Sequence, residues 1–201
     1  METLVPTAVL IGVGALTPGP NNLVVLRAGA RTGWRGSLPA IAGIVLGGLA
    51  LLSVAALGGG ALFARSPEVR LLVAVVGCLY LAVLGGRLML ESFRATTTPD
   101  APLAADLPTG ALALFGFQFL NPKSWVLTLT AVSTAQGGPA GEALVGLAAL
   151  FLLLPTACLG AWALLGALLS SALRRPRVRA WFDRLMGLLL LLSALLLLLE
   201  I

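Results

Sequence analysis

Residues 38 to 63 read LPAIAGIVLGGLALLSVAALGGGALF, a run of 26 residues without a charged side chain. A helix needs about 20 mostly apolar residues to cross the hydrocarbon core of a bilayer. This stretch is therefore long enough to span a membrane, and it decides the fold class. We expect an all-α integral membrane protein.

The rest of the chain repeats this pattern. Of its 201 residues, 59% are hydrophobic and 10% are charged, whereas a soluble domain is about half apolar and a quarter charged. Apolar stretches separated by glycine, proline and charged residues predict six transmembrane helices. They are Leu4 to Leu26, Leu38 to Phe63, Val69 to Leu90, Thr109 to Val132, Glu142 to Ser170 and Trp181 to Leu199.

Composition also excludes several kinds of function. The chain has no histidine, and its two cysteines, Cys78 and Cys158, lie in different spans, so a thiolate or imidazole metal site has no ligand set. We therefore expect no metal and no cofactor. The net charge of +5 would suggest nucleic acid in a soluble protein, but in a membrane protein it indicates orientation. The expected partners are the lipid bilayer and a small molecule, with no nucleic acid.

The basic residues are divided unequally between the two sides of the membrane. Ten follow the first, third and fifth spans, and only Arg65 and Arg70 lie on the other side. Because Lys and Arg near span ends stay on the cytoplasmic face, both termini should be outside. Residues 96–108 then form a cytoplasmic linker between two three-helix repeats, residues 1–95 and 109–201. Three helices per half make the second half enter from the opposite face, which predicts a 3+3 inverted repeat.

Two spans carry a proline break at matching places. Thr17-Pro18-Gly19-Pro20-Asn21-Asn22 interrupts the first span, and Asn121-Pro122-Lys123-Ser124 interrupts the fourth. A proline inside a helix costs about 3 kcal/mol, so we expect helices 1 and 4 to be broken at Pro18/Pro20 and Pro122. Thr17 and Asn121 precede prolines in the order of a helix N-cap. Two restarted helices would point their positive ends at one place near the midplane, where an anion would bind.

Lys123 is the strongest functional candidate. A lysine at mid-membrane costs about 2.5 to 3.5 kcal/mol even on the lenient insertion scale. Two alternatives remain open: proline kinks are common in membrane helices without any ligand, and Lys123 could extend its ammonium to the interface. At 100° per residue Gln118, Asn121, Ser124 and Thr128 share a polar stripe, whereas Lys123 falls on the other side. Only a break after Asn121 would bring it round.

Two further features have structural as well as functional interpretations. Tyr80, the single tyrosine, lies in the middle of the third span, where its hydroxyl would reach either a ligand or a local partner. Gly43 and Gly47 form a GxxxG pair that favours close helix packing. Glycines on several spans also permit a homodimer.

The sequence resembles the LysE/RhtB family of amino-acid exporters along essentially its whole length. The resemblance lies in the segments 16–22, 29–33, 43–47, Tyr80-Leu81 with Gly85, and Phe119-Leu120-Asn121-Pro122-Lys123. Residues 118–121 and 130–134 look most like the branch that exports cysteine and O-acetylserine. The resemblance implies a bacterial inner-membrane carrier that exports amino acids, driven by the proton-motive force. The candidate substrate-binding residues are Thr17, Pro18, Gly19, Pro20, Asn21, Asn22, Tyr80, Gln118, Asn121, Pro122 and Lys123.

The positions of the acidic residues restrict the expected class of substrate. Exporters of lysine and arginine in this family usually carry acids within the second and fourth spans, and this chain has none there. A cationic side chain at the midplane would lack a counter-charge, so small neutral amino acids fit better. We expect a secondary exporter and no enzyme. The alternatives are a passive channel, an intramembrane enzyme using Lys123 with Ser124 or Ser53, and an assembly subunit.

Overall fold

The computed structural model describes residues 4–97, 110–134 and 140–199, and within these ranges the regular structure is helical with no β-strand. A π-helical segment, Ala55–Gly59, joins α3 to α4. The α-helices are α1 (Leu4–Leu16), α2 (Pro20–Gly36), α3 (Leu38–Val54), α4 (Gly60–Arg65), α5 (Pro67–Thr97), α6 (Ala111–Leu120), α7 (Pro122–Thr134), α8 (Ala140–Leu168), α9 (Ser170–Leu173) and α10 (Pro176–Leu199).

Several of these helices are long and apolar enough to cross a membrane. In the described ranges three helical segments meet this requirement on their own: Leu38–Phe63, Pro67–Phe93 and Ala143–Leu168. They lie close to the predicted second, third and fifth spans. Val5–Leu16 and Pro20–Gly36 meet it only when they are taken together, with a bend of 55° between them. Because α6 has only 10 residues, the total of six spans stays a prediction.

The helix that contains the end of the first span is longer than the sequence predicted. The predicted span ends at Leu26, whereas α2 continues past Arg27 and Arg31 to a kink at Gly33 (φ 76°, ψ 171°) and ends at Gly36. Hydropathy detects only the apolar part of a helix, and Ala and Arg are good helix formers that extend it beyond the hydrocarbon core.

The outer surface of the bundle is strongly apolar. Leu57 is 87% exposed, Leu112 84% and Leu168 70%, and many other leucines and valines lie outward with them. So many exposed large apolar side chains indicate contact with lipid or another protein. Together with the long apolar helices, it fits a chain embedded in a bilayer.

Helix packing divides the bundle into two parts. One buried cluster joins α2, α3, α6 and α8, and another joins α1, α3, α7 and α8. The third cluster lies mainly between α5 and α10, with Leu23 of α2 at its edge. The α5/α10 pair is therefore packed chiefly on itself and touches the remaining helices through fewer apolar side chains.

The predicted GxxxG pair lies at the crossing of α3 and α6. A Cβ on Gly47 would lie 2.5 Å from the carbonyl oxygen of Phe115 and 2.7 Å from Cγ of Gln118, and a Cβ on Gly43 would overlap the backbone of Ala111. Only glycine allows two helices to approach so closely. The interpretation of this pair as a packing motif is confirmed.

The predicted division of the chain concerns residues that are described only in part. Helix α5 continues to Thr97, so the first residues of the predicted linker, 96–108, are helical. From residue 98 onward the linker lies outside the described residues. The two repeats, 1–95 and 109–201, stay a prediction.

Candidate substrate site at the helix breaks

The first break separates α1 from α2, and its capping residue differs from the predicted one. Helix α1 ends at Leu16 and α2 begins at Pro20, with Gly19 as the N-cap in an extended conformation (φ −167°, ψ −179°). The prediction that Thr17 caps the second helix is wrong. Its backbone N–H and its hydroxyl both donate to the carbonyl of Val13, so Thr17 continues the hydrogen bonding of α1, and Pro20 rather than Pro18 is the first helical position.

Asn22 satisfies the carbonyl groups that the break leaves free. Its Nδ2 atom donates to the carbonyl oxygens of Ala15 at 3.0 Å and Thr17 at 2.9 Å, with Leu16 at 3.5 Å. The last carbonyls of a helix have no partner within the helix, and water is absent from the core of a bilayer. A side-chain amide from the next helix therefore replaces the missing donors.

The second break follows the predicted capping pattern. Helix α6 ends at Leu120 and α7 begins at Pro122, with Asn121 between them in an extended conformation (φ −87°, ψ 107°). The Oδ1 atom of Asn121 accepts a hydrogen bond of 3.2 Å from the backbone N–H of Lys123. This is the bond expected of an N-cap asparagine before a first-turn proline.

The second break places Lys123 against the first. The ammonium Nζ of Lys123 donates to the carbonyl oxygen of Thr17 at 2.9 Å. Its side chain is half-buried, and Lys123 lines the same cavity as the polar stripe of Gln118, Asn121, Ser124 and Thr128. The lysine and the polar stripe therefore meet at one cavity.

A group of amides and a hydroxyl joins the two broken segments. Asn21 and Gln118 exchange two hydrogen bonds: Asn21 Nδ2 donates to Gln118 Oε1 at 3.0 Å, and Gln118 Nε2 donates to Asn21 Oδ1 at 3.1 Å. Gln118 Nε2 also donates to the carbonyl of Leu114 at 3.1 Å, and its Oε1 accepts from the hydroxyl of Ser124 at 2.9 Å. Residues from α2, α6 and α7 are therefore fixed relative to one another.

Two cavities adjoin at this place. The inner cavity, of about 80 Å³, lies among α1, α2, α3, α6, α7 and α8. The outer cavity, of about 340 Å³, lies between α1 and α7 on one side and α5 and α10 on the other. At roughly 10–15 Å³ per water, the inner cavity has room for several waters or a small molecule. Ten of the eleven predicted residues line one or both cavities: Thr17, Pro18, Gly19, Pro20, Asn21, Asn22, Gln118, Asn121, Pro122 and Lys123.

Tyr80 is the predicted residue that the structure does not bring to this place. It lines neither cavity, and its ring packs against that of Phe117 with centroids 4.3 Å apart. Its buried hydroxyl has no hydrogen-bond partner among the described residues. A contact between Tyr80 and a ligand stays a prediction.

A buried ionic cluster that the sequence did not predict lies at another place in the bundle. Arg27 of α2 pairs with Asp183 of α10 and, at 3.6 Å, with Glu91 of α5. Arg179 lies 3.7 Å from Asp183, one turn away on α10. Asp183 is 1% exposed. In the sequence these residues only mark span ends, because nothing in their spacing connects positions 156 residues apart.

Comparison with known proteins identifies the family of this chain. A family model described as "LysE type translocator" matches residues 12–201. The chain therefore belongs to the LysE-type translocator family and is a helical, multi-pass membrane protein.

Several curated relatives are similar to this chain over most of its length. A "Cysteine/O-acetylserine efflux protein" of Salmonella choleraesuis (strain SC-B67) is 34% identical over 166 residues, which is 81% of each chain. The protein of that name from Salmonella typhimurium has the same identity and coverage. The one from Escherichia coli O9:H4 is 30% identical over 81% of this chain and 82% of its own. No solved structure matches.

Proposed function

We propose that this protein is a secondary exporter that moves small neutral amino acids or related metabolites out of the bacterial cytoplasm across the inner membrane. The substrate binds at the helix breaks near the midplane, with its carboxylate on Lys123. Membership of a translocator family and relatives named for efflux support this proposal.

The observation that carries the proposal is the environment of the Lys123 ammonium. It lines both cavities, and its hydrogen-bond partner is an uncharged backbone carbonyl. Within the described ranges the ion pairs of this chain involve Arg27 and Arg179, and none joins a carboxylate to Lys123. A substrate carboxylate would supply the missing counter-charge in a charge-assisted hydrogen bond.

The same cavity linings favour a neutral amino acid over a cationic one. No described Asp or Glu lines either cavity, so a substrate with a second positive charge would be buried without compensation. The ammonium group of the substrate would instead bind amide and carbonyl oxygens at the two breaks. The names of the relatives, which specify cysteine and O-acetylserine, support the same class.

Packing supports a 3+3 inverted repeat as the framework of the exporter. Helix α3 packs on α6 and α7, α8 packs on α1 and α2, and α5 packs on α10. The first three spans are α1 with α2, α3 with α4, and α5, and the last three are α6 with α7, α8, and α10. When each span is exchanged for its counterpart in the other half, the same pairs of neighbouring spans result. Transporters with such repeats alternate their access by moving one part against the other around a central site. In this proposal both termini are outside.

Lys123 and Ser124 bind different partners, which argues against a Ser-Lys enzyme. The hydroxyl of Ser124 donates to Gln118 and the ammonium of Lys123 donates to Thr17. A passive channel is distinguished from a carrier by energetics. In our proposal an uncoupler abolishes export against a gradient, whereas a channel would never build such a gradient.

The test compares Lys123→Ala with the exposed-residue control Arg70→Ala. Cells or loaded membrane vesicles are assayed for export of serine, cysteine and alanine, and immunoblotting of membranes measures how much of each variant is present. We expect Lys123→Ala to abolish export and Arg70→Ala to retain it. Unchanged export by Lys123→Ala would reject the proposed role of the lysine.

A further inference from the structure

One buried hydroxyl at the inner cavity has no hydrogen-bond partner among the described residues. Asn21, Asn22, Gln118 and Ser124 each donate to another group of the protein, as does the ammonium of Lys123. Thr128 also lines this cavity and is 1% exposed, yet its hydroxyl has no hydrogen-bond partner among the described residues.

The hydroxyl of Thr128 differs from most helical hydroxyls in this chain. Thr130, Thr156 and Thr32 each donate to the carbonyl four residues earlier, which is the usual way for a threonine in a helix to satisfy its hydroxyl. Thr128 makes no such bond with Ser124. A buried hydroxyl without a partner is unfavourable. Its position therefore indicates that another molecule supplies the missing hydrogen bond.

The surroundings of Thr128 limit what that molecule can be. Four residues separate Ser124 from Thr128, so the two side chains lie one turn apart on the same face of α7, about 6 Å along the axis. Ser124 belongs to the satisfied amide group near the breaks, whereas the walls of the cavity contributed by α3 and α8 are apolar, with Val45, Phe151 and Leu159 among them. Thr128 thus brings an unpaired hydroxyl to a cavity whose walls from α3 and α8 are apolar.

We propose that the hydroxyl of Thr128 binds the side chain of the substrate and selects small amino acids whose side chain carries a hydroxyl, thiol or ester group. This inference rests on the proposed function, in which Lys123 holds the carboxylate at the breaks. The substrate then lies with its carboxylate toward Lys123 and its polar side chain toward the unpaired hydroxyl. An amino acid with a methyl side chain would leave the hydroxyl unpaired and bind less well.

Thr128→Val tests the proposal, because valine keeps the shape of threonine and removes the hydroxyl. Serine and alanine are the probes, since they differ by one hydroxyl group. Binding is measured on purified protein as the shift of thermal unfolding with increasing amino acid, and export is measured in vesicles. We expect the wild type to prefer serine over alanine by roughly tenfold, the worth of one hydrogen bond, and Thr128→Val to lose this preference.

Two further variants keep the test decisive. Thr128→Ser retains the hydroxyl and should retain the preference for serine, even if Thr128→Val fails to fold. Thr156→Val is the matched control: the hydroxyl of Thr156 is exposed, already donates to Leu152, and lines neither cavity. It should leave the preference unchanged.

The two measurements separate this inference from the proposed function. The role of Thr128 would be overturned if the Thr128→Val protein kept the preference for serine over alanine, or if the Thr128→Ser protein lost it. Neither result would contradict export. A wild type that shows no preference for serine over alanine would overturn it as well. A wild type that binds serine selectively but exports none of the probes would contradict the exporter and leave the selective hydroxyl supported.

Discussion

The ammonium of Lys123 donates a 2.9 Å hydrogen bond to the carbonyl oxygen of Thr17, 106 residues earlier in the chain. This bond joins the start of α7 to the C-terminal end of α1. Because the C-terminus of a helix carries partial negative charge, the cation is favourably placed there without a carboxylate. A substrate carboxylate would compete with this carbonyl for the ammonium, so binding would loosen the contact between the two broken segments.

Replacing Asn22 should destabilise the first break. In Asn22→Ala the carbonyls of Ala15 and Thr17 lose their donor in a site that is 5% exposed at Asn22. We expect a loss of about 1–3 kcal/mol in the free energy of unfolding. Thermal unfolding in detergent provides the measurement, with the exposed Ser53→Ala as control. Equal stability of the two variants would show that the amide is not needed to satisfy the break.

The exchange of hydrogen bonds between Asn21 and Gln118 should appear as an energetic coupling. We expect the double variant Asn21→Ala/Gln118→Ala to be less destabilised than the sum of the two single variants, by about 0.6–1.7 kcal/mol. Reversible unfolding of the four proteins in mixed micelles measures this cycle. Additivity within about 0.3–0.5 kcal/mol would mean that the two amides act independently.

Removing the charge of Asp183 should weaken the attachment of α10 to α2. Asp183→Asn leaves Arg27, which is 5% exposed, without its closest ionic partner. Breaking a buried ion pair on one side costs about 3–5 kcal/mol. The expected result is a much lower midpoint of thermal unfolding, with the exposed Glu68→Gln unchanged. If the two variants had the same midpoint of thermal unfolding, the cluster would contribute nothing to the packing of α10.

Adjacent glycines of α3 should respond differently to alanine. A Cβ on Gly47 meets Phe115 and Gln118, whereas a Cβ on Gly48 has no atom within 4 Å. We expect Gly47→Ala to lower the midpoint of thermal unfolding, because it separates α3 from α6. Gly48→Ala should be neutral or stabilising by up to about 1 kcal/mol, since alanine is the better helix former. A destabilised Gly48→Ala beside an unaffected Gly47→Ala would contradict the close crossing.

Local chemistry explains which features the sequence predicted. Proline disfavours a continuous helix without excluding one, since Pro155 lies inside α8. The asparagine before Pro122 makes the hydrogen bond expected of a cap. Two glycines four residues apart gave the correct packing surface of α3. The cap of the first break was predicted wrongly because Thr17 and Gly19 both precede a proline, and the choice between them depends on where α1 ends.

Contacts between helices that are distant in the chain could not be predicted from the sequence. In the sequence Arg27 indicates only orientation, since a positive charge near a span end has that meaning in any membrane protein. Its pairing with Asp183 depends on α2 and α10 being neighbours, which hydropathy and charge do not encode. Likewise, the break after Asn121 was needed to bring Lys123 to the cavity, but its bond to Thr17 depends on how α7 meets α1.

The most direct test of the central claim compares serine with ethanolamine, which lacks the carboxylate, as ligands of purified wild-type and Lys123→Ala protein. Calorimetric titration measures the affinity of each pair. Our account predicts that the wild type binds serine but not ethanolamine, and that Lys123→Ala loses serine binding while remaining folded. Equal affinity of the two proteins for serine, or equal affinity of the wild type for both ligands, would contradict a carboxylate held by Lys123.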